Sequence, residues 1–175
     1  MEISGKYLNI SISDNSKSPW ESKSVLKMLR DSLEVIEKFI YSSKTRLNKK
    51  SHPQILLDLH FCGDSRMKAI NKAHRGKDKT TDVLSFPGFE SLRADGISDV
   101  YDGMIHLGDI IISRQVAKKQ AKEFKITVAD EVIHLFVHGL LHVLGYDHEI
   151  SDYEEQIMTD LENKILKEIS KSRKK

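Results

Sequence analysis

The chain has 175 residues, a formal net charge of +2, 39% hydrophobic and 31% charged side chains. It suits a single, somewhat polar globular domain, and its charge is too small to establish a nucleic-acid partner by itself. One cysteine, Cys62, rules out an internal disulfide framework and a cysteine-based structural zinc site. No stretch approaches the roughly 20 apolar residues that span a bilayer. The opening residues also lack a secretion-signal pattern, so a cytoplasmic protein with no membrane partner is expected.

Leu8 to Ser13 alternates apolar and polar residues and predicts an opening strand. A helix from Ser22 or Ser24 to about Tyr41 follows, with Val25, Met28, Leu29, Leu33, Ile36 and Ile40 as its buried stripe. Ser42 to Ser51 is polar and basic and reads as a loop. Ile55 to Phe61 is the next strand, and Asp64 to His74 has the caps and spacing of a short helix. Thr81 to Phe86 and Ile105 to Ser113 supply two further strands. Between them, residues 88–103 read as a mobile loop, either covering a functional site or inserted without a role.

Arg114 to Phe124 predicts a basic amphipathic helix. Arg114, Lys118 and Lys122 form one stripe on it, either simply solvated or following a phosphate backbone. Thr127 with Asp130 makes a capping box for a helix from Val128 to Leu144 that is apolar nearly all round and belongs in the core. Ser151 with Glu154 makes another, opening a helix to about Ile169. The expected architecture is α+β (mixed α/β): a single domain over residues 1–170 and a basic, disordered tail over 171–175. A central, largely parallel mixed sheet of about four strands is packed by five or six helices, with a metal site at the end of a buried helix.

That site rests on three histidines in one short stretch. His138 and His142 are four apart, so on a helix they share a face, about 6 Å apart along the axis. Gly145 stands where the helix would end in a left-handed turn that brings His148 back towards them. Three imidazoles leave one position open on a zinc-type ion, the arrangement of a catalytic rather than a structural site. His134, one turn before His138, is expected outside the ligand set, as a second-layer partner or part of the cleft wall. The spacing is similar to that of metzincin proteases, but Gly139 stands where those enzymes carry the glutamate base. Peptide hydrolysis by that mechanism therefore has no base in the motif. Phosphodiester hydrolysis is the alternative, because a metal lowers the pKa of water to about 7 and a guanidinium steadies phosphoryl charge. Arg75, beside a glycine turn in a basic run from Asn71 to Lys79, is either that guanidinium or part of a solvated loop.

The block from His138 to His148 resembles the signature of the YbeY family of bacterial metal-dependent endoribonucleases. Asn71 to Pro87 and Leu107 to Ser113 match in order and spacing, and Glu155 to Met158 with Glu162 echoes the C-terminal helix. Thr80 and His74 depart from the family pattern, where proline and an aromatic residue are usual. The resemblance implies one Zn2+ per chain on His138, His142 and His148, with Arg75 as the arginine near the cleft. It implies single-strand-specific endoribonuclease activity in 3′-end maturation of small-subunit ribosomal RNA and in ribosome quality control. The implied partners are single-stranded or ribosomal RNA, the small ribosomal subunit and its assembly factors, with no DNA. Asp147 and His134 are the candidate bases. Two other readings stay open: a non-enzymatic ribosome-assembly factor with a structural metal, and a metzincin-like hydrolase of another substrate.

Overall fold

The computed structural model describes residues 1–14, 22–42, 44–96 and 99–173. Its strands are β1 (Glu2–Ser4), β2 (Leu8–Asp14), β3 (Gln54–Cys62), β4 (Val83–Pro87) and β5 (Met104–Ser113). Its helices are α1 (Ser22–Ile40), α2 (Asp64–Arg75), α3 (Arg114–Phe124), α4 (Val128–Val143) and α5 (Asp152–Ser172). Together they form a single α+β domain on one mixed sheet of order β1-β2-β3-β5-β4. The β2–β3 and β3–β5 pairings are parallel, and both outer pairings are antiparallel. Parallel pairing of β2 with β3 follows from the α1 crossover between them.

The expected α+β mixed sheet is present, with five strands among the described residues where about four were expected, because the three-residue β1 folds back antiparallel on β2 (Glu2 opposite Ser11). Its parallel part is the inner three strands. One expectation needs correction: α5 continues through Ser172, so Lys171 and Ser172 belong to a helix rather than a tail. Residues 174–175 lie outside the described residues.

Period-two alternation gives the sheet one apolar face. Leu8, Ile10, Ile12, Ile55, Leu57, Leu59, Ile110 and Ile112 are buried there, beneath a layer formed by α1, α4 and α5. A bulge keeps β5 in phase: register shifts between Leu56 and Asp58, leaving Leu107 and Gly108 opposite Leu57. Gly108 takes a φ of 132°, and a Cβ there would lie 2.1 Å from the Phe86 carbonyl oxygen, so no other residue fits. The opposite face is polar over β2, β3 and β5. Ser13 bonds His60 (2.6 Å), His60 bonds Asp109 (2.8 Å) and His106 bonds Asp58 (2.7 Å). Towards β4 that face is capped by α2, whose Met67 packs with Cys62 and Leu84.

Helix α4 lies in the middle of the apolar layer. Thr127 caps it, its Oγ accepting the Asp130 N–H, and Phe136, Val137, Leu140 and Leu141 are fully buried along it. Truncating any of these large side chains to alanine would cost about 2–5 kcal/mol. Among the described residues no single helix is long and apolar enough to cross a membrane; α3 and α4 meet at 115°.

Candidate metal centre

Burial of α4 fixes where its histidines point. His138 and His142 emerge at its C-terminal end, with Nε2 atoms 3.1 Å apart. The helix then ends as its glycine predicts. Gly145 takes a φ of 95°, its N–H bonds the His142 carbonyl (2.9 Å), and the Tyr146 N–H bonds that of Leu141 (3.0 Å). This pair of bonds is a Schellman turn, and it delivers His148 to the other two. The ring centroids lie 4.8 Å (His138–His142), 5.3 Å (His138–His148) and 5.2 Å (His142–His148) apart. Ligand atoms of all three fall within 4.8 Å of one another, so the trio can hold a metal ion.

The donor set fits such an ion. Tetrahedral bonds of about 2.0–2.1 Å place ligand nitrogens roughly 3.3–3.4 Å apart, close to the His138–His142 spacing. Burial lowers the pKa of His142 to about 4, with the neighbouring His138 and His148 adding to the effect. At neutral pH its ring is therefore uncharged and offers a lone pair. The other nitrogen of His138, Nδ1, lies 3.3 Å from Glu162 Oε1. A proton on Nδ1 facing that carboxylate leaves Nε2 free for metal.

Glu162 of α5 also contacts His134 Nε2 at 3.3 Å. Burial pushes the Glu162 pKa up, but the contacts with His134 and His138 outweigh it and hold the value to about 2. His134, between Glu131 and Glu162, is pushed up to about 10 by those two carboxylates. His134 is thus joined to the centre through Glu162, and its surroundings favour the protonated ring over the base expected of it. Replacing Glu162 with glutamine keeps the side chain's size but removes the charge that orients His138. Metal affinity is expected to fall about 10- to 100-fold with the fold retained, as read by titration against a chelator of known affinity; affinity within twofold of the parent would contradict this role.

The turn carrying His148 is braced from a distance. The Leu92 N–H bonds the Leu144 carbonyl (3.0 Å), and the Arg46 N–H bonds that of Leu92 (3.0 Å). Arg93 lies over the Tyr146 ring (4.9 Å) and pairs with Glu154 (2.6 Å), while the Tyr146 hydroxyl bonds the Lys44 carbonyl (2.9 Å). Leu92 is fully buried. The expected mobile loop is therefore, over residues 88–96, an anchored strap behind the metal turn; residues 97–98 lie outside the described residues. Because the Glu154 carboxylate is engaged by Arg93, the predicted capping box of α5 is half formed: Ser151 accepts the Glu154 N–H.

Beside the histidines lies a cleft of about 860 Å³, walled by β4, the end of α2 and the turn after α4. Arg75, Lys77 and Lys79 line it, as do His74, Phe86 and Asp147. Arg75 is the last residue of α2, which Gly76 ends with a φ of 66°. Asn71 Nδ2 bonds the Lys79 carbonyl (2.8 Å) and holds the basic loop against the helix. His74, in the place of an aromatic residue, packs edge-on against Phe86 at 4.9 Å. Asp82 anchors the start of β4, accepting from Gln120, Thr81 and the Val83 N–H. The stripe on α3 has no part here. Arg114 is buried, 3.7 Å from Asp14, and neither Lys118 nor Lys122 lines the cleft.

Gly139 is a packing residue. A Cβ there would lie 2.9 Å from Ile110 Cγ2 and 3.0 Å from Ser85 Oγ, so α4 rests on β4 and β5 through bare backbone. Glu149 and the Arg93 strap had no functional signal in the residues alone, because each acts through a partner distant in sequence; Glu162 showed only as part of the C-terminal block of the family resemblance.

The family model described as Endoribonuclease YbeY matches residues 14–170. The chain is 37% identical over 149 residues to a protein of that name from Thermodesulfovibrio yellowstonii, covering 83% of this chain and 86% of the relative. It is 48% identical over 118 residues to another from Leptospira interrogans, covering 63% and 84%. The solution structure of TM1509 from Thermotoga maritima superposes with a TM-score of 0.57 at 27% identity, covering 91% of this chain and 88% of that one.

Proposed function

The chain belongs to the YbeY family, and on that footing we propose that it is a zinc-dependent endoribonuclease specific for single strands. The observation that carries this reading is the convergence of His138, His142 and His148 at one end of a cleft lined by Arg75, Lys77 and Lys79. His138, His142 and His148 would hold the ion, which would supply Lewis acidity and activate water near neutral pH. The protein's own residues do the rest. Arg75 offers a planar fork of donors to the oxygens of the scissile phosphate, and Lys77 and Lys79 carry positive charge along the flanking backbone. The ring surfaces of His74 and Phe86 are where an unpaired base can stack. Asp147, in the turn beside His148 and one of the carboxylates lining the cleft, is the candidate to orient a nucleophile, whether water or the ribose 2′-hydroxyl. With Gly139 following His138, the motif carries no glutamate base for peptide hydrolysis. Family membership extends the reading to 3′-end maturation of small-subunit ribosomal RNA and ribosome quality control in the cytoplasm, with the small subunit and its assembly factors as partners.

The test is cleavage of a labelled single-stranded RNA, of the same strand in a duplex, and of a peptide library, each with and without chelator. Cutting confined to the single strand and abolished by chelator is expected; peptide cleavage alone would overturn the reading. Arg75→Ala is expected to lower kcat/KM on the single strand by roughly 10²-fold or more while leaving the melting temperature unchanged, since the side chain is exposed. A loss below about threefold would remove Arg75 from the phosphate site.

A further inference from the structure

Arg75 does not stand free in the cleft. Its Nη2 donates to both carboxylate oxygens of Glu149, each at 2.8 Å, across 74 residues of sequence. Glu149 follows His148 directly, and its N–H bonds Asp147 Oδ1 at 2.9 Å, so the turn that presents the third histidine also presents this carboxylate. A guanidinium meets a carboxylate and a phosphodiester through the same paired oxygens. The place Glu149 occupies on Arg75 is therefore one that two phosphoryl oxygens could take. Both side chains are substantially exposed, 41% and 54%, so water and salt weaken the pair and a competing anion can displace it.

We propose that Glu149 is an internal stand-in for substrate phosphate, occupying Arg75 in the free protein and yielding it when an RNA strand enters. The displacing group, though not the competition itself, rests on the nuclease reading above. A lone phosphate gains only Arg75 by displacing Glu149. A strand that also meets Lys77 and Lys79 gains more, so the contact raises the threshold against small anions.

The test uses the full chain and a labelled single-stranded deoxyoligonucleotide, which carries the phosphate chain and is not a ribonuclease substrate. Binding is read by fluorescence anisotropy. Glu149→Gln is expected to tighten binding about three- to fivefold, the scale of an exposed ion pair. Glu155→Gln, on the exposed side of α5, removes the same charge away from the cleft and is the control for net charge. In an Arg75→Gln background, Glu149→Gln should add nothing beyond that control. Binding no tighter than in the control overturns the proposal, and weaker binding does so too, by making Glu149 a residue that positions Arg75. The two readings fail separately. If no RNA is cut but Glu149→Gln still tightens binding, the nuclease reading falls and the competition stands. If RNA is cut and the variant matches its control, the competition falls alone.

Discussion

Gly139→Glu is expected to abolish the native fold. Even the first added atom, Cβ, would sit 2.9 Å from Ile110 and 3.0 Å from Ser85, and the carboxylate would follow it into the interface between α4 and the sheet. Overpacking of this kind costs about 1–3 kcal/mol, and an unpaired buried charge adds roughly 3–5 kcal/mol more. The sum approaches the whole stability of a domain, about 5–15 kcal/mol. Circular dichroism should show no cooperative melt, or one displaced far downwards. Gly139→Ala adds only the methyl and gains about 1 kcal/mol of helix preference, so it should fold with a small net loss. A Gly139→Glu protein melting with the parent would show that α4 can lift from the sheet. The experiment also bears on chemistry, because it asks whether this scaffold could carry the glutamate base of a zinc protease at that position. The packing says that it cannot.

His142→Asn is expected to remove the metal while sparing the fold. The His142 ring faces His138 and His148 across the site rather than filling the apolar core, and asparagine is polar and smaller. Structural zinc sites reach about 10–16 kcal/mol in total, so one ligand of three is about 3–5 kcal/mol, or more than 10²-fold in affinity. Metal retained at micromolar chelator by the parent should be lost by the variant, with RNA cleavage lost alongside and the melting curve of the metal-free protein unchanged. A variant that keeps metal and activity would take His142 out of the ligand set.

Much of this was legible in the residues. The helices show in apolar spacing and caps, and the trio of histidines in a four-residue interval followed by a glycine that takes a φ of 95°. What escaped was decided by partners far away in the chain. The strand Glu2–Ser4 is too short to show alternation and exists because β2 offers it an edge. Residues 88–96 look like a polar loop, yet their order comes from Leu144, Arg46, Tyr146 and Glu154, none of which is a neighbour in sequence. His134 sits at ligand spacing from His138, and only the arrival of Glu162 and Glu131 on either side of it shows that its surroundings favour a protonated ring. Arg75 was legible as a basic residue by a glycine turn. That Glu149 holds it was not, because nothing local links the two.

Whether His138, His142 and His148 form a catalytic metal centre is decided by elemental analysis of the purified protein, paired with RNA cleavage before chelation, after it, and after adding zinc back. Close to one zinc per chain is expected, with cleavage lost when it is removed and recovered when it is restored, and the protein folded throughout. Metal absent from an actively cleaving protein, or cleavage unchanged by its complete removal, would contradict a catalytic role for the three histidines.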